Sequence, residues 1–264
     1  MSREKVWLVT GASRGFGRTW TEAALAKGDR VVAAVRDVAS VSALSDRYGG
    51  NILPVQLDVA ERSQVFTAAR CAIEHFGRID VLINNAGYCL AGAVEEVAEA
   101  DARALFDTNV FGALWVTQAV LPIMRAQASG HIIAVSSVSG LVGQPTIGMY
   151  NASKWALEGM MESLSEEISD LGIKVSILEP AIYATEFTSP TSMRFSQMHS
   201  AYDGARSRLY ASLGNELAND PLSSVAQLMA LVDSDDPPLR LLLGGSALGW
   251  AVRSYSNRLA SWVR

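Results

Sequence analysis

Short apolar runs alternate with longer amphipathic segments along most of this chain. The runs are continuous stretches of Val, Ile and Leu, which is typical of strands buried on both faces of a parallel sheet. They predict strands over residues 6–10, 30–35, 52–57, 81–84, 131–136, 174–179 and 239–243. Between the strands, apolar positions at helical spacing predict helices over about 15–28, 40–48, 61–76, 101–127, 149–171 and 222–234.

This order of elements predicts an α/β fold with about seven parallel strands in one doubly wound sheet and helices on both faces. Right-handed crossovers follow from the twist of the strands. No linker, repeat or low-complexity block divides the chain. We therefore expect residues 1–264 to form a single domain.

Two segments depart from the alternation. Residues 182–221 form a long insertion, and an insertion of this length in a compact domain is usually a lid or a binding loop. The alternative is a surface excursion with a helix of its own. The tail, residues 246–264, has apolar positions near helical spacing, which favours packing on the domain or on a second subunit.

The composition of the chain argues against several classes of function. The 264 residues carry a net charge of −5 without a basic cluster, which disfavours nucleic-acid binding. Cys71 and Cys89 do not suggest a disulfide framework, and the three histidines lack metal-ligand spacing. The chain shows neither a secretory signal nor an apolar stretch of the ~18 residues that a membrane span needs. We expect a cytoplasmic protein without nucleic-acid, membrane or metal partners.

The first predicted strand leads directly into a glycine-rich turn, TGASRGFG, over residues 10–17. Its glycines at 11, 15 and 17 allow a tight turn and close approach of a phosphate to the backbone. The N-terminus of the following helix then offers free N–H groups to a diphosphate. The turn misses the triphosphate-binding P-loop pattern, because Arg18 replaces its Lys and Ala12 its first Gly.

The second predicted strand ends at Val35 and Arg36, without the carboxylate that often binds the adenosine ribose in dinucleotide-binding folds. Arg36 and Arg14 together suit a ribose 2′-phosphate, because a guanidinium fork matches phosphate geometry. This pair favours NADP(H). The alternative is two solvated surface arginines.

Tyr150 and Lys154 lie one helical turn apart on a predicted helix and therefore share a face. An ammonium beside a phenol favours the phenolate and lowers the phenol pKa toward neutrality. Ser137, at the end of the preceding strand, is placed to hold a substrate oxygen beside that phenol. The trio suits proton transfer to or from a carbonyl or alcohol.

With these motifs assembled, the chain resembles the short-chain dehydrogenase/reductase family over about residues 5–187. The resemblance rests on the glycine turn, on the NNAG run at 84–87 and on the Ser137, Tyr150 and Lys154 set. It extends to Leu57-Asp58-Val59, to Asn109 and to residues 180–185, where Ala181 stands in place of the family's usual Gly.

The resemblance implies a Rossmann-type sheet, an NADP(H)-dependent activity and a homodimer or homotetramer. It implies that Tyr150 is the acid–base, that Ser137 binds the reacting oxygen, that Lys154 binds the nicotinamide ribose and that Asn109 holds a relay water. The cofactor-binding residues that it implies are Gly11, Ser13, Arg14, Gly15, Phe16, Gly17, Arg36, Asp58, Val59, Asn85, Ala86, Gly87, Tyr150, Lys154, Pro180, Ile182 and Thr185.

The predicted function is hydride transfer between NADP(H) and a small-molecule carbonyl or secondary alcohol. Met and aromatic side chains in the insertion suit a bulky apolar substrate, although ordinary loop packing would use the same residues. The predicted walls are Cys89, Leu90, residues 141–149 and, in the insertion, Phe187, Met193, Phe195, Met198, His199, Tyr202 and Tyr210. Two alternatives stay open: an epimerase or dehydratase on this scaffold, and a cofactor-sensing binding protein without chemistry.

Overall fold

The computed structural model describes residues 4–186, 192–213 and 218–263. Within them the strands are β1 Val6–Thr10, β2 Arg30–Val35, β3 Ile52–Gln56, β4 Val81–Asn84, β5 Cys89–Ala91, β6 Gly130–Val135, β7 Ile173–Pro180, β8 Met193–Phe195 and β9 Arg240–Leu243. Seven of them form one parallel sheet in the order β3-β2-β1-β4-β6-β7-β9. The predicted α/β fold with a doubly wound parallel sheet is confirmed.

Helices cover both faces of this sheet. In the described residues they are α1 Gly15–Lys27, α2 Ser42–Tyr48, α3 Arg62–Phe76, α4 Glu99–Phe106, α5 Gly112–Gln127, α6 Gly148–Glu167, α7 Asp203–Leu213, α8 Val225–Asp233 and α9 Ala247–Trp262. Helices α3, α5 and α6 bury their apolar sides in one core, and α1, α2 and α8 in the other. The strand order reverses between β1 and β4, so a crevice opens at the carboxyl ends of these two strands.

The sequence pattern predicts one helix over 101–127, but the structure divides it into three parts. A π-helical turn at Asp107–Phe111 separates α4 from α5. This turn buries the Asn109 side chain, whose amide bonds the backbone of Tyr88. The segment is helical throughout, as predicted, but the pattern does not show the π-helical turn, because apolar spacing does not register one inserted residue. Such insertions are frequent at functional sites.

By length and composition, one helical segment in the described ranges, Glu99–Gln127, is long enough to cross a membrane. Its residues Val116, Val120 and Met124 are buried against the sheet. The segment therefore behaves as a core helix of this fold.

The insertion at 182–221 contains short elements that the sequence pattern does not resolve. Strand β8 pairs in parallel with β5, with Cys89 opposite Met193, and α7 follows it. The insertion therefore has a helix of its own and is also attached to the main body. Phe187, one of the predicted walls, lies outside the described residues.

A pair of glycine substitutions tests the backbone packing. A Cβ at Gly17 would lie 2.2 Å from the Gly11 carbonyl oxygen, whereas Gly159, inside α6, has nothing within 4 Å among the described residues. We expect Gly17→Ala to lower the free energy of unfolding by roughly 1–3 kcal/mol through overpacking. The matched Gly159→Ala should raise it by about 0.5–1 kcal/mol, because alanine favours a helix interior. Urea unfolding measures both, and a Gly17→Ala protein of unchanged stability would contradict the packing of the turn.

Candidate active site

A cavity of about 1090 Å³ lies at the crevice between the carboxyl ends of β1 and β4. It brings together most of the residues that the sequence singles out. These are Gly11, Ser13, Arg14, Gly15, Phe16, Arg36, Asp58, Val59, Asn85, Ala86, Gly87, Ser137, Tyr150, Lys154, Pro180, Ile182 and Thr185. Gly17 and Asn109 do not line the cavity and lie behind its wall.

Hydrogen bonds between Thr10 and Asn85 shape the glycine turn. The Thr10 hydroxyl accepts from the backbone N–H groups of Asn85 and Ala86, each at 3.0 Å. The Asn85 side-chain amide donates to the Thr10 carbonyl at 2.9 Å and to the Gly11 carbonyl at 3.1 Å. Gly11 has φ +68°, which favours glycine, and a Cβ there would lie 3.0 Å from that amide nitrogen. Asn85 therefore positions the turn as well as lining the cavity.

The turn is suited to bind an acidic group. Arg14, the N-cap of α1, is extended and its side chain does not cap the helix. The Gly15 N–H donates instead to the Glu186 carboxylate at 2.9 Å. This bond shows that the first turn of α1 accepts an anion, as a dinucleotide diphosphate requires. The sequence analysis does not single out Glu186, because an acid just after Thr185 carries no pattern.

Arg14 and Arg36 lie at the same end of the cavity. Burial, and secondly the charge of Arg36, lower the pKa of Arg14, while Glu186 raises it. Two guanidinium groups this close together suit a phosphate. Asp37 also lines this end of the cavity, and its carboxylate caps the next backbone turn at Ala39.

Ser137, Tyr150 and Lys154 meet at the opposite end of the cavity. Ser137 follows β6, and its hydroxyl accepts from the Ser139 N–H at 3.1 Å. The Ser137 hydroxyl acts on the Tyr150 phenol and lowers its pKa. The Lys154 ammonium donates to the Val135 carbonyl at 2.8 Å and lies 5.8 Å from the centre of the Tyr150 ring. The end of β6 and one face of α6 thus bring the predicted trio together.

Burial dominates the acid–base properties of this trio. It raises the pKa of Tyr150 above its ordinary value, and the Ser137 hydroxyl opposes this rise. Burial also lowers the pKa of Lys154 to about 8, against the opposing charge of Glu158. We expected Lys154 to lower the pKa of Tyr150. In this geometry the Val135 carbonyl holds the ammonium, so burial has the larger effect on the phenol.

Asn109 lies behind Gly87, where a Cβ on that glycine would be 3.1 Å from the Asn109 amide oxygen and 3.7 Å from Lys154 Nζ. The Asn109 amide exchanges two hydrogen bonds of 3.0 Å with the Tyr88 backbone and donates to Ser153 Oγ at 3.1 Å. The structure thus gives Asn109 a role in holding the loop after β4. Its role in a water relay stays a prediction.

The rest of the cavity wall comes from the insertion and from the segments facing it. The described residues there are Cys89, Gln144, Thr146, Ile147, Ser192, Met193, Arg194, Phe195, Met198, Arg206, Leu209, Tyr210 and Trp250. The predicted wall residues Leu90, His199 and Tyr202 do not line it. Leu90 is fully buried beneath the cavity, and Tyr202 bonds Glu95. Trp250 was not singled out, because it lies in the tail, which the sequence pattern assigned to packing.

Glu96 fastens the insertion to the main body. Its carboxylate accepts from the His199 N–H at 2.6 Å and from the Arg206 guanidinium at 2.8 and 3.1 Å. The His199 bond first, and then Arg206, lower the pKa of Glu96 to about 2. The carboxylate therefore stays ionised over the physiological range, and the wall that the insertion builds stays attached.

The short chain dehydrogenase family matches residues 5–194 of this sequence. The chain belongs to the short-chain dehydrogenase/reductase family. Among curated family members, oxidoreductase BOA17 of Botryotinia fuckeliana is 38% identical, over 97% of this chain and 95% of that protein. Human retinol dehydrogenase 8 is 34% identical, over 88% of this chain and 79% of that protein. The chain is thus an oxidoreductase of the short-chain type.

Solved short-chain dehydrogenase structures share this fold throughout. One from Streptomyces avermitilis superposes with a TM-score of 0.93, at 36% identity, over 100% of this chain and 96% of that chain. One from Burkholderia phymatum, solved with NAD, has a TM-score of 0.83 at 26% identity, over 97% and 95%. One from Burkholderia cenocepacia, solved with NADP, has a TM-score of 0.79 at 26% identity, over 99% and 97%. These relatives support a nicotinamide cofactor for this short-chain dehydrogenase.

Thiol labelling tests the interpretation of Cys89 as a wall residue rather than a nucleophile. Burial raises the pKa of the Cys89 thiol to about 12, so almost none of it is thiolate at neutral pH. We expect iodoacetamide at neutral pH to label the partly exposed Cys71 and to leave Cys89 unmodified in the folded protein, as read by mass spectrometry. Cys71→Ser should abolish the labelling and Cys89→Ser should preserve it. Rapid labelling of Cys89 would instead reveal an activated thiol.

Proposed function

We propose that this protein is an NADP(H)-dependent reductase that interconverts a ketone and a secondary alcohol on a bulky apolar substrate. The observation that carries the proposal is that Ser137 and the buried Tyr150 and Lys154 line the same cavity as the glycine turn. A hydroxyl pair at the end of a cofactor cavity suits a substrate oxygen that gains or loses a proton. Assembly into a homodimer or homotetramer and a cytoplasmic location stay predictions from the sequence.

The cavity fits a dinucleotide at its other end. The first turn of α1 would hold the diphosphate in place of the Glu186 carboxylate, and Asp58 and Val59 line the place for the adenine. Arg14 and Arg36 would hold a ribose 2′-phosphate. The charge of Arg36 beside Arg14 supports NADP(H) over NAD(H), because a bound phosphate relieves the repulsion between the two guanidinium groups.

The cavity walls support a bulky apolar substrate. Met193, Phe195 and Met198 of the insertion line the cavity together with Ile147 and Trp250. Thioether and aromatic side chains adapt to large apolar ligands. The name of the 34% identical relative, retinol dehydrogenase, is consistent with such a substrate.

Each residue of the trio has a different role in the proposed reaction. The nicotinamide group, when bound, supplies or accepts the hydride. Ser137 donates a hydrogen bond to the reacting oxygen and stabilises the charge that develops there. Tyr150 donates its proton to that oxygen during reduction and takes it back during oxidation. Lys154, with its pKa near 8, gains and loses a proton easily at neutral pH and so restores the phenol. The surrounding apolar walls exclude water from these transfers.

Removal of the phenol hydroxyl tests the proposed acid–base. We expect Tyr150→Phe to lower kcat by about 10²–10⁴-fold, because the reacting oxygen loses its proton donor, while NADPH binding is unchanged. NADPH oxidation against a panel of ketones and aldehydes measures turnover, and fluorescence titration measures binding. Tyr48→Phe, at a ring packed outside the cavity, is the matched control and should retain full activity. Turnover at the wild-type rate in Tyr150→Phe would sink the proposal.

The cofactor preference has its own test. We expect Arg36→Ala to raise the KM for NADPH roughly tenfold to a hundredfold, because a hydrogen-bonded ion pair to the 2′-phosphate is lost. The KM for NADH should stay within a factor of about two, since NADH lacks that phosphate. Arg47→Ala, at an exposed arginine of α2 that stacks on Tyr48, is the control. A wild-type protein that prefers NADH would overturn the assignment of Arg14 and Arg36.

A further inference from the structure

Two buried carboxyl groups lie directly behind the catalytic trio. Glu158 is one turn beyond Lys154 on α6, and Glu179 lies near the end of β7. Both approach the same Nε atom of Arg240 on β9, at 3.1 Å for Glu158 and 3.5 Å for Glu179. Their side chains are 7% and 2% exposed. The proton transfers described above do not use either carboxyl group.

The charges in this cluster do not balance if both carboxyl groups are ionised. Arg240 is the shared cation, and its guanidinium also binds Glu162 at 2.7 Å. The Oε1 atoms of Glu158 and Glu179 have no hydrogen-bond donor among the described residues. Two adjacent buried carboxylates that share part of one cation disfavour each other's charge. A proton held between them removes one charge and supplies the missing donor.

The electrostatics of the two groups agree with this geometry. Burial, and then the charge of Glu158, raise the pKa of Glu179 to about 8. Burial also raises the pKa of Glu158, although Ser136, Arg240 and Lys154 oppose it. The two groups therefore titrate as a coupled pair rather than as separate sites.

Glu158 also acts electrostatically on a residue of the trio. It lies at i+4 from Lys154, so the two side chains share a face of α6, and its negative charge raises the pKa of Lys154 against the effect of burial. A Cβ at Gly140 would lie 2.5 Å from Ser136 Oγ and 3.2 Å from Glu158 Oε1, so the loop that carries Ser137 packs tightly on this carboxyl group. A change in the charge of Glu158 therefore reaches Lys154 directly.

We propose that Glu158 and Glu179 share one proton, and that Glu158 is a positioning residue that acts on turnover through the charge of Lys154. The link to turnover rests on the proposed function; the shared proton does not. The charged and titratable groups that face the pair are Lys154 and Glu162 on α6, Arg240 on β9 and Tyr255 on α9. Glu179, Arg240 and Tyr255 line a second cavity of about 560 Å³, through which the pair exchanges its proton with solvent.

The pH profile of reduction tests the link to Lys154. At high pH, kcat falls as Lys154 loses its proton. Glu158→Gln removes the charge that helps Lys154 to keep its proton, so we expect the alkaline limb to move to lower pH by about one unit. Glu179→Gln keeps one negative charge, now entirely on Glu158, so the limb should move far less than in Glu158→Gln. Glu158→Asp keeps the charge and should keep the limb near its wild-type position.

A packing role would give a different result. Loss of packing lowers kcat or stability in both glutamine variants without a limb shift that is specific to Glu158→Gln. An equal shift in both variants, or no shift for Glu158→Gln, therefore overturns the role of Glu158.

A second measurement needs no substrate and separates this proposal from the proposed function. A carboxyl group whose folded-state pKa is raised contributes stability that is present below its unfolded pKa and is lost as the pH rises through the folded value. For Glu179 this window runs from 4.5 to about 8. In urea unfolding from about pH 5 to pH 9, the stability of the wild type relative to Glu179→Gln should fall across that window. A constant difference overturns the shared proton, even if the carbonyl panel finds a substrate.

Discussion

The hydrogen bonds that join Thr10 to Asn85 hold the ends of β1 and β4 at the point where the strand order reverses. A parallel sheet opens a crevice at such a point, but the crevice becomes a binding site when the two loops that leave it have fixed shapes. Here the Thr10 hydroxyl and the Asn85 side-chain amide together fix the loops that follow β1 and β4. The glycine turn, the start of α1 and the loop that carries Gly87 all follow from this connection, and the cofactor end of the cavity depends on it.

Burial is the second constraint, and it sets the chemistry at the other end of the cavity. Tyr150 and Lys154 lie on a helix whose inner face is almost inaccessible to water, so each group favours its neutral form. Neighbouring groups then set the size of each pKa shift. The Ser137 hydroxyl acts on the phenol, and Glu158 acts on the ammonium. The end of β6 and the first turns of α6 therefore form one electrostatic unit, in which a change at one position is felt at the others.

Much of this structure could be predicted from the sequence, because buried parallel strands consist of continuous apolar residues. The strand bounds agree within a residue, and the glycine turn and the trio fall at the predicted ends of β1 and β6. The π-helical turn at Asp107–Phe111 could not be predicted, because one extra residue leaves the apolar pattern intact. Strands β5 and β8 were missed because three residues are too few to show a period. Glu186 and Trp250 reach the cavity through tertiary contacts, which no local pattern records.

The attachment of the insertion at Glu96 has a consequence for how such a protein diversifies. The carboxylate binds two backbone N–H groups, of Ala93 and His199, and the Arg206 guanidinium, and none of these bonds involves the apolar side chains of the insertion that line the cavity. Positions such as Met193, Phe195 and Met198 can therefore change while the segment keeps its place. The sheet and the trio tolerate little variation, because each residue there is fixed by burial or by a hydrogen bond. In the proposed function, the insertion therefore sets the selectivity for the substrate, and the sheet and the trio set the chemistry.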